Sequence, residues 1–131
     1  PFLIAKMKII ILIVFFVATF YYLKPSGSGV EISTGELLSI TQQEKNPVII
    51  DVRTKGEYNG PLGYINNSIL IPLSEIDERY IELNSFKNKP IYVVCKSGGR
   101  SSSATKKLIS YGFNAINVKG GMMAWNKIKK Y

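Results

Sequence analysis

The chain reads as an α/β domain built on a largely parallel sheet. Short runs of aliphatic, β-branched residues recur without polar alternation, the pattern of strands covered on both faces. Segments with apolar residues at helical spacing separate these runs, and proline, glycine or asparagine marks most of the changeovers.

In order, Val30-Glu31-Ile32 forms a short first strand. Thr34 caps a helix starting at Gly35, with Leu37, Leu38 and Ile40 turned inward. Val48-Ile49-Ile50 follows Asn46-Pro47 as the second strand and ends at Asp51. Ile69-Leu70-Ile71 is the third, stopped by Pro72, and Ser74 caps the next helix, where Ile76, Tyr80 and Leu83 share a face. Ile91-Tyr92-Val93-Val94 is the fourth strand. After Arg100, Ala104, Leu108 and Tyr111 recur at i, i+4 and i+7, and Gly112 ends that helix. Ala115-Ile116-Asn117-Val118 is the fifth strand, and a last helix from Gly121 carries Met123, Trp125 and Ile128. Strands alternating with short helices define the α/β class.

The N-terminal part is different in kind. Residues 9–23 read IIILIVFFVATFYYL without a charge, flanked by Lys6 and Lys8 before and Lys24 after. The run is not amphipathic, so it is not a surface helix of the domain. Residues 1–24 form either a signal peptide or a membrane anchor, residues 25–29 a Gly/Ser linker, and residues 30–131 the domain. At helical rise fifteen residues reach about 22 Å, short of the roughly 30 Å of hydrocarbon, and extension back to Phe2 with snorkelling lysines makes up the difference. Met7-Lys8 reads as a start, which shortens the run towards a signal-peptide core. Ser26-Gly27-Ser28 offers a small-x-small cleavage site. No cysteine follows the run, which excludes a bacterial lipoprotein. Lysines on the leading side place the N-terminus in the cytoplasm and the domain outside it, in the periplasm or cell envelope.

Composition narrows the chemistry. In 131 residues there is one cysteine and no histidine. An internal disulfide, a Cys/His zinc site and a Ser-His or Cys-His couple are thereby excluded. No metal is called for. Seventeen basic residues against nine acidic ones give a net charge of +8, but the lysines are scattered apart from Lys127, Lys129 and Lys130. No basic stripe interleaved with aromatics tracks a nucleic acid, so none is expected as a partner. A nucleophile here must be activated by charge and backbone dipoles.

Cys95-Lys96-Ser97-Gly98-Gly99-Arg100-Ser101 meets that requirement. It leaves a buried strand at its C-terminal end, where open α/β sheets bind ligands, and enters a helix. Small residues let successive amides converge on one point, with Gly98 and Gly99 free to take conformations other residues avoid. The helix aims its positive end there, and Lys96 and Arg100 add full charges. Each of these favours a thiolate over a thiol.

The same loop resembles the Cys-x-Ser-Gly-x-Arg-Ser loop of rhodanese-type sulfurtransferases. Three further stretches resemble that family in the same order: Asp51-Val52-Arg53 with Glu57-Tyr58; Gly63-Tyr64-Ile65-Asn66-Asn67-Ser68-Ile69 with Ile71-Pro72; and Gly120-Gly121-Met122-Met123-Ala124-Trp125. Tyr64 stands where the family usually has histidine, and Asn67-Ser68 where it has Gly-Ala. The resemblance implies a three-layer fold with a mostly parallel five-stranded sheet and helices on both faces. It implies Cys95 as the nucleophile that carries a persulfide, with residues 96–101 binding the anion and Asp51 and Arg53 supporting the site. Asp51, Arg53 and Glu57 are then a buried polar network at the sheet edge, and Met123 and Trp125 belong to the core. The implied partners are a small anionic donor such as thiosulfate and a cyanide or thiol acceptor, with no cofactor beyond the persulfide and the chain acting as a monomer. Two alternatives stand beside this. One is a cysteine phosphatase or arsenate reductase of the same fold, although those carry one more residue in the loop than the four between Cys95 and Arg100. The other is a non-catalytic anchored module that carries sulfur or binds a partner.

Overall fold

The computed structural model describes residues 1–22 and 29–129. Helix α1 (Phe2–Tyr22) precedes β1 (Glu31–Ser33), α2 (Thr34–Gln43), β2 (Val48–Asp51), α3 (Lys55–Tyr58) and β3 (Ile69–Leu70). After these come α4 (Ile76–Arg79), β4 (Pro90–Val94), α5 (Gly99–Ser110), β5 (Asn114–Lys119) and α6 (Gly121–Ile128). Residues 25–28 of the linker, the Ser26-Gly27-Ser28 site, Lys24 and Lys130 lie outside the described residues. The described apolar side chains of α1 are exposed, from Phe2 to Phe16. Among the described residues no helix is long and apolar enough to cross a membrane.

The sheet has five strands in the order β1-β5-β4-β2-β3. Every pairing is parallel, from Glu31 opposite Asn117 at one edge to Asp51 opposite Leu70 at the other. Two cores cover it. On one face Ile50, Ile91 and Val93 pack with Ile76, Ala104 and Leu108 of α4 and α5. On the other, Ile49, Tyr92 and Val94 pack with Leu37 of α2 and with Met122 and Trp125 of α6. Neighbouring residues of one strand thus feed opposite layers, so the run carries no polar alternation.

Two helix starts differ from the sequence reading. Ser33, not Thr34, caps α2: its hydroxyl accepts from the Glu36 amide at 3.1 Å while the Glu36 carboxylate accepts from the Ser33 amide at 2.7 Å. This reciprocal box satisfies two amides where a Thr34 cap would satisfy one. Ser74 caps nothing. It sits inside the 3-10 turn Leu73–Glu75, and α4 starts after Glu75 without a side-chain cap. Beyond Arg79 the backbone tightens to a 3-10 helix over Tyr80–Phe86. Tyr80, Leu83 and Phe86 recur every third residue there, the period of that helix, and so share one side facing the core.

Candidate active site

The C-terminal ends of β2 and β4 set the site. Asp51 and Arg53 leave β2 as a fully buried ion pair at 2.7 Å. The guanidinium also donates to the Gly63 carbonyl at 2.7 Å and to the Glu57 carbonyl at 3.2 Å, tying the strand end to α3 and to the loop before β3. That loop carries Tyr64, stacked on Tyr58 at 4.3 Å between ring centroids. It also carries Asn67 at φ 63, a conformation that asparagine tolerates better than most side chains.

Cys95 follows β4 and is 1% exposed. Its Sγ accepts the Gly98 amide at 3.0 Å and the Ser101 hydroxyl at 3.3 Å. That hydroxyl also lies 3.1 Å from the Gly98 carbonyl, but the Ser102 amide already serves this carbonyl at 3.1 Å. The single Ser101 proton thus has two acceptors within reach, the sulfur and that carbonyl. Burial pushes the thiol up; the Ser101 hydroxyl and the amides of Ser101, Gly98 and Ser97 outweigh it, and the sulfur ionises below the ordinary thiol value. Burial and a lowered pKa coexist because the polar groups reach the sulfur from inside the loop.

Of the two loop glycines only Gly98, at φ 114, needs its freedom. Gly99 is the first residue of α5 and has open space around it, which corrects the expectation that both are required for the turn. The carbonyl side of the loop is held by α6. The Met122 amide donates to the Cys95 carbonyl at 2.8 Å and the Met123 amide to the Lys96 carbonyl at 3.0 Å. Gly121, at φ 52, allows this approach, since a Cβ there would collide with the Cys95 carbonyl oxygen and lie 2.7 Å from Lys96. Asn117 of β5, buried, reaches the Gly98 carbonyl at 3.5 Å and Glu31 at 3.1 Å. Sequence reasoning passed over Gly121 and Asn117. A polar residue in the otherwise apolar Ala115-Ile116-Asn117-Val118 run was the available signal.

Two expected roles change. Glu57 does not complete the buried Asp51–Arg53 network with its carboxylate. It binds Arg100 instead through both oxygens, at 2.7 Å each, and accepts from the Thr54 amide at 3.0 Å. The Arg100 guanidinium beside it holds the carboxyl down to about 2. Arg100 is thus committed to Glu57, whereas Lys96 is exposed at the rim. Trp125 is core, 4% exposed, but Met123 is not. At 45% exposed, it lines a cleft of about 330 Å³ with Arg53, Glu57, Pro61, Leu62 and Lys96. A helix start places Met122 inward and Met123 outward, and the motif does not say which.

Comparison with known proteins agrees with this geometry. The rhodanese-like domain model matches residues 33–128. The Bacillus subtilis protein YtwF, provisionally named a sulfurtransferase, is 37% identical over 95 residues, covering 72% of this chain and 88% of its own. YrkF of the same organism, provisionally named a sulfur carrier protein, is 36% identical over 96 residues, 72% of this chain and half of that one. A rhodanese-like domain protein from Staphylococcus aureus superposes with a TM-score of 0.65 at 42% identity, covering 73% of this chain and 90% of that one. With five parallel strands between two helical layers and one cysteine at the mouth of its amide cradle, the chain belongs to the rhodanese-like sulfurtransferase family.

Proposed function

We propose that the protein moves a sulfane sulfur from a small anionic donor such as thiosulfate to a thiophilic acceptor, cyanide in an assay or a thiol, through a Cys95 persulfide. The Cys95 thiolate attacks the outer sulfur of the donor. The donor's S–S bond breaks, its electron pair leaves with sulfite, and the sulfur stays as Cys95–S–S⁻. The acceptor then attacks that outer sulfur and the thiolate returns. No proton or external electron is consumed, so a site without histidine suffices. The observation that carries this reading is the Cys95 Sγ held by the Gly98 amide and the Ser101 hydroxyl within the turn from β4 into α5. Ser97, Gly98 and Ser101 supply the cradle, Lys96 stands at its rim, Arg100 is held beside it by Glu57, and Asp51 and Arg53 keep the neighbouring strand end in place.

The phosphatase alternative meets two obstacles. Only four residues separate Cys95 from Arg100, and the guanidinium that would grip a phosphoryl group is bound to Glu57. Thiocyanate formation from thiosulfate and cyanide by wild type, lost in Cys95→Ser with the fold intact, is the expected result. A phosphate-ester activity without thiosulfate turnover would reverse the assignment. A cyanide-labile mass increase of one sulfur atom on Cys95 without turnover would identify a sulfur carrier instead. The same proposal takes residues 1–24 as a signal peptide or anchor that exports the domain, supported by the uncharged run and the leading Lys6 and Lys8. Recovery of the protein from the cytosolic fraction alone would reject that part.

A further inference from the structure

Arg100, the cation beside Ser101, is held by a carboxylate out of hydrogen-bond contact with the sulfur, although it stays within electrostatic reach of Cys95. Arg100 lies in the first turn of α5, beside the residue whose hydroxyl and amide serve the sulfur. A guanidinium there can fold onto any anion at Cys95. Its terminal nitrogens instead take both oxygens of Glu57, 43 residues away in sequence. The position of Glu57 is itself built. Its carboxylate accepts the Thr54 amide and hydroxyl at 3.0 and 3.1 Å as the box that starts α3, and its carbonyl accepts from buried Arg53. With side chains 37% and 32% exposed, the Arg100–Glu57 pair contributes little to stability, so stability does not account for it.

We propose that Glu57 is a positioning residue that withholds the Arg100 guanidinium from the Cys95 sulfur, leaving Lys96 as the cation that meets the donor. This rests on the sulfurtransferase reading of the same site. The charged groups around the loop are Lys96 on the loop, the Asp51–Arg53 pair from β2, Glu57 from α3, and the Lys119–Glu31 pair at the β5–β1 edge. With the three pairs closed, Lys96, exposed beside the cleft, is the one of these charges without an opposite partner. A guanidinium on the persulfide would stabilise that intermediate more than the transition state for its discharge, which slows turnover. Amides alone hold the sulfur without that penalty.

The test is the pH dependence of Cys95 alkylation by iodoacetamide in the full chain, for wild type, Glu57→Gln, Arg100→Met and the double variant. A released guanidinium near the sulfur favours the thiolate by about tenfold, and the fall in nucleophilicity that accompanies a lower pKa takes back about threefold. Glu57→Gln should therefore alkylate about threefold faster than wild type near pH 5.5 and about threefold slower on the alkaline plateau. Its KM for thiosulfate should fall, as should its kcat with cyanide. Arg100→Met removes only the long-range attraction between Arg100 and Cys95 and should move the alkylation profile by less than about twofold, and the double variant should follow Arg100→Met. An unchanged profile in Glu57→Gln, or a shift that persists in the double variant, overturns the proposal. Should Glu57→Gln not fold, Arg100→Met alone decides: a profile moved by threefold or more means that Arg100 already acts on the sulfur. Alkylation needs no turnover, so the expected profiles with no thiosulfate activity would reject the sulfurtransferase reading and leave this one standing.

Discussion

Gly121→Ala tests whether α6 holds the active-site loop. Gly121 sits at φ 52, and a Cβ placed there meets the Cys95 carbonyl oxygen and the Lys96 carbonyl group. A left-handed backbone costs a non-glycine residue roughly 1–2 kcal/mol. The collision must be relieved by moving α6 off the loop, which weakens the Met122 and Met123 amide bonds to Cys95 and Lys96, each worth roughly 1 kcal/mol. A loss of about 2–4 kcal/mol follows, a large share of the roughly 5–15 kcal/mol that holds a domain together. Urea unfolding at constant slope measures it, and Cys95 alkylation near pH 5.5 reads the loop separately. Gly99→Ala is the control: one residue beyond Gly98, it has nothing within 4 Å and no positive φ, so alanine there should be neutral or slightly stabilising. A Gly121→Ala protein within about 0.5 kcal/mol of wild type, alkylating at the wild-type rate, would refute the idea that α6 clamps the loop.

Three further outcomes are expected. Ser101→Ala removes the hydroxyl at 3.3 Å from Sγ, so alkylation near pH 5.5 should fall about two- to threefold while the alkaline plateau rises, at unchanged fold by circular dichroism. Arg53→Met leaves the fully buried Asp51 carboxylate without its partner and should cost about 3–5 kcal/mol in urea unfolding; Asp51→Asn in the same chain should recover part of it. The Glu57 carboxyl is depressed in the folded state, so the contribution of its tether to Arg100 is complete above the ordinary value of 4.5 and is lost as pH falls through about 2. For a pair about a third exposed that contribution is small, so the slight difference in urea midpoint between wild type and Arg100→Met should shrink further across that window.

The sheet was legible because parallel strands buried on both faces leave an unbroken apolar mark, and each of the five runs became a strand within a residue or two of its expected ends. Helix starts were less legible, since a hydroxyl residue beside a helix does not show by itself that it is the cap, and Thr34 was read where Ser33 caps α2. The Ser33-Gly35-Glu36 spacing of a capping box would have chosen between them, and the same spacing from Thr54 to Glu57 marks α3, which the periodicity of so short a helix cannot show. Cys95 and its loop were legible because their chemistry is local. Glu57 was misplaced for the opposite reason: the pairing of Asp51, Arg53, Glu57 and Arg100 depends on which carboxylate faces which guanidinium across 43 residues of chain. Spacing along the chain carries no record of that.

The closed ion pairs also decide which anion the site can keep. Once Asp51 is bound to Arg53 and Glu57 to Arg100, Lys96 is the cation of the loop without a carboxylate partner. Taking up a sulfur atom lengthens the anion but leaves its charge at minus one, so the electrical balance of the loaded site equals that of the free one. A phosphorylated cysteine carries about one charge more, and in a cradle otherwise lined by amides and apolar side chains that extra charge has no partner unless Arg100 leaves Glu57. Loss of that tether leaves the Glu57 carboxylate without its cation, in the cleft beside the dianionic phosphocysteine. A covalent phosphoryl intermediate is thus opposed twice over, once by the missing cation and once by the carboxylate left behind. A Cys95 persulfide, at minus one, requires neither change, so the proposed sulfur transfer leaves both ion pairs closed.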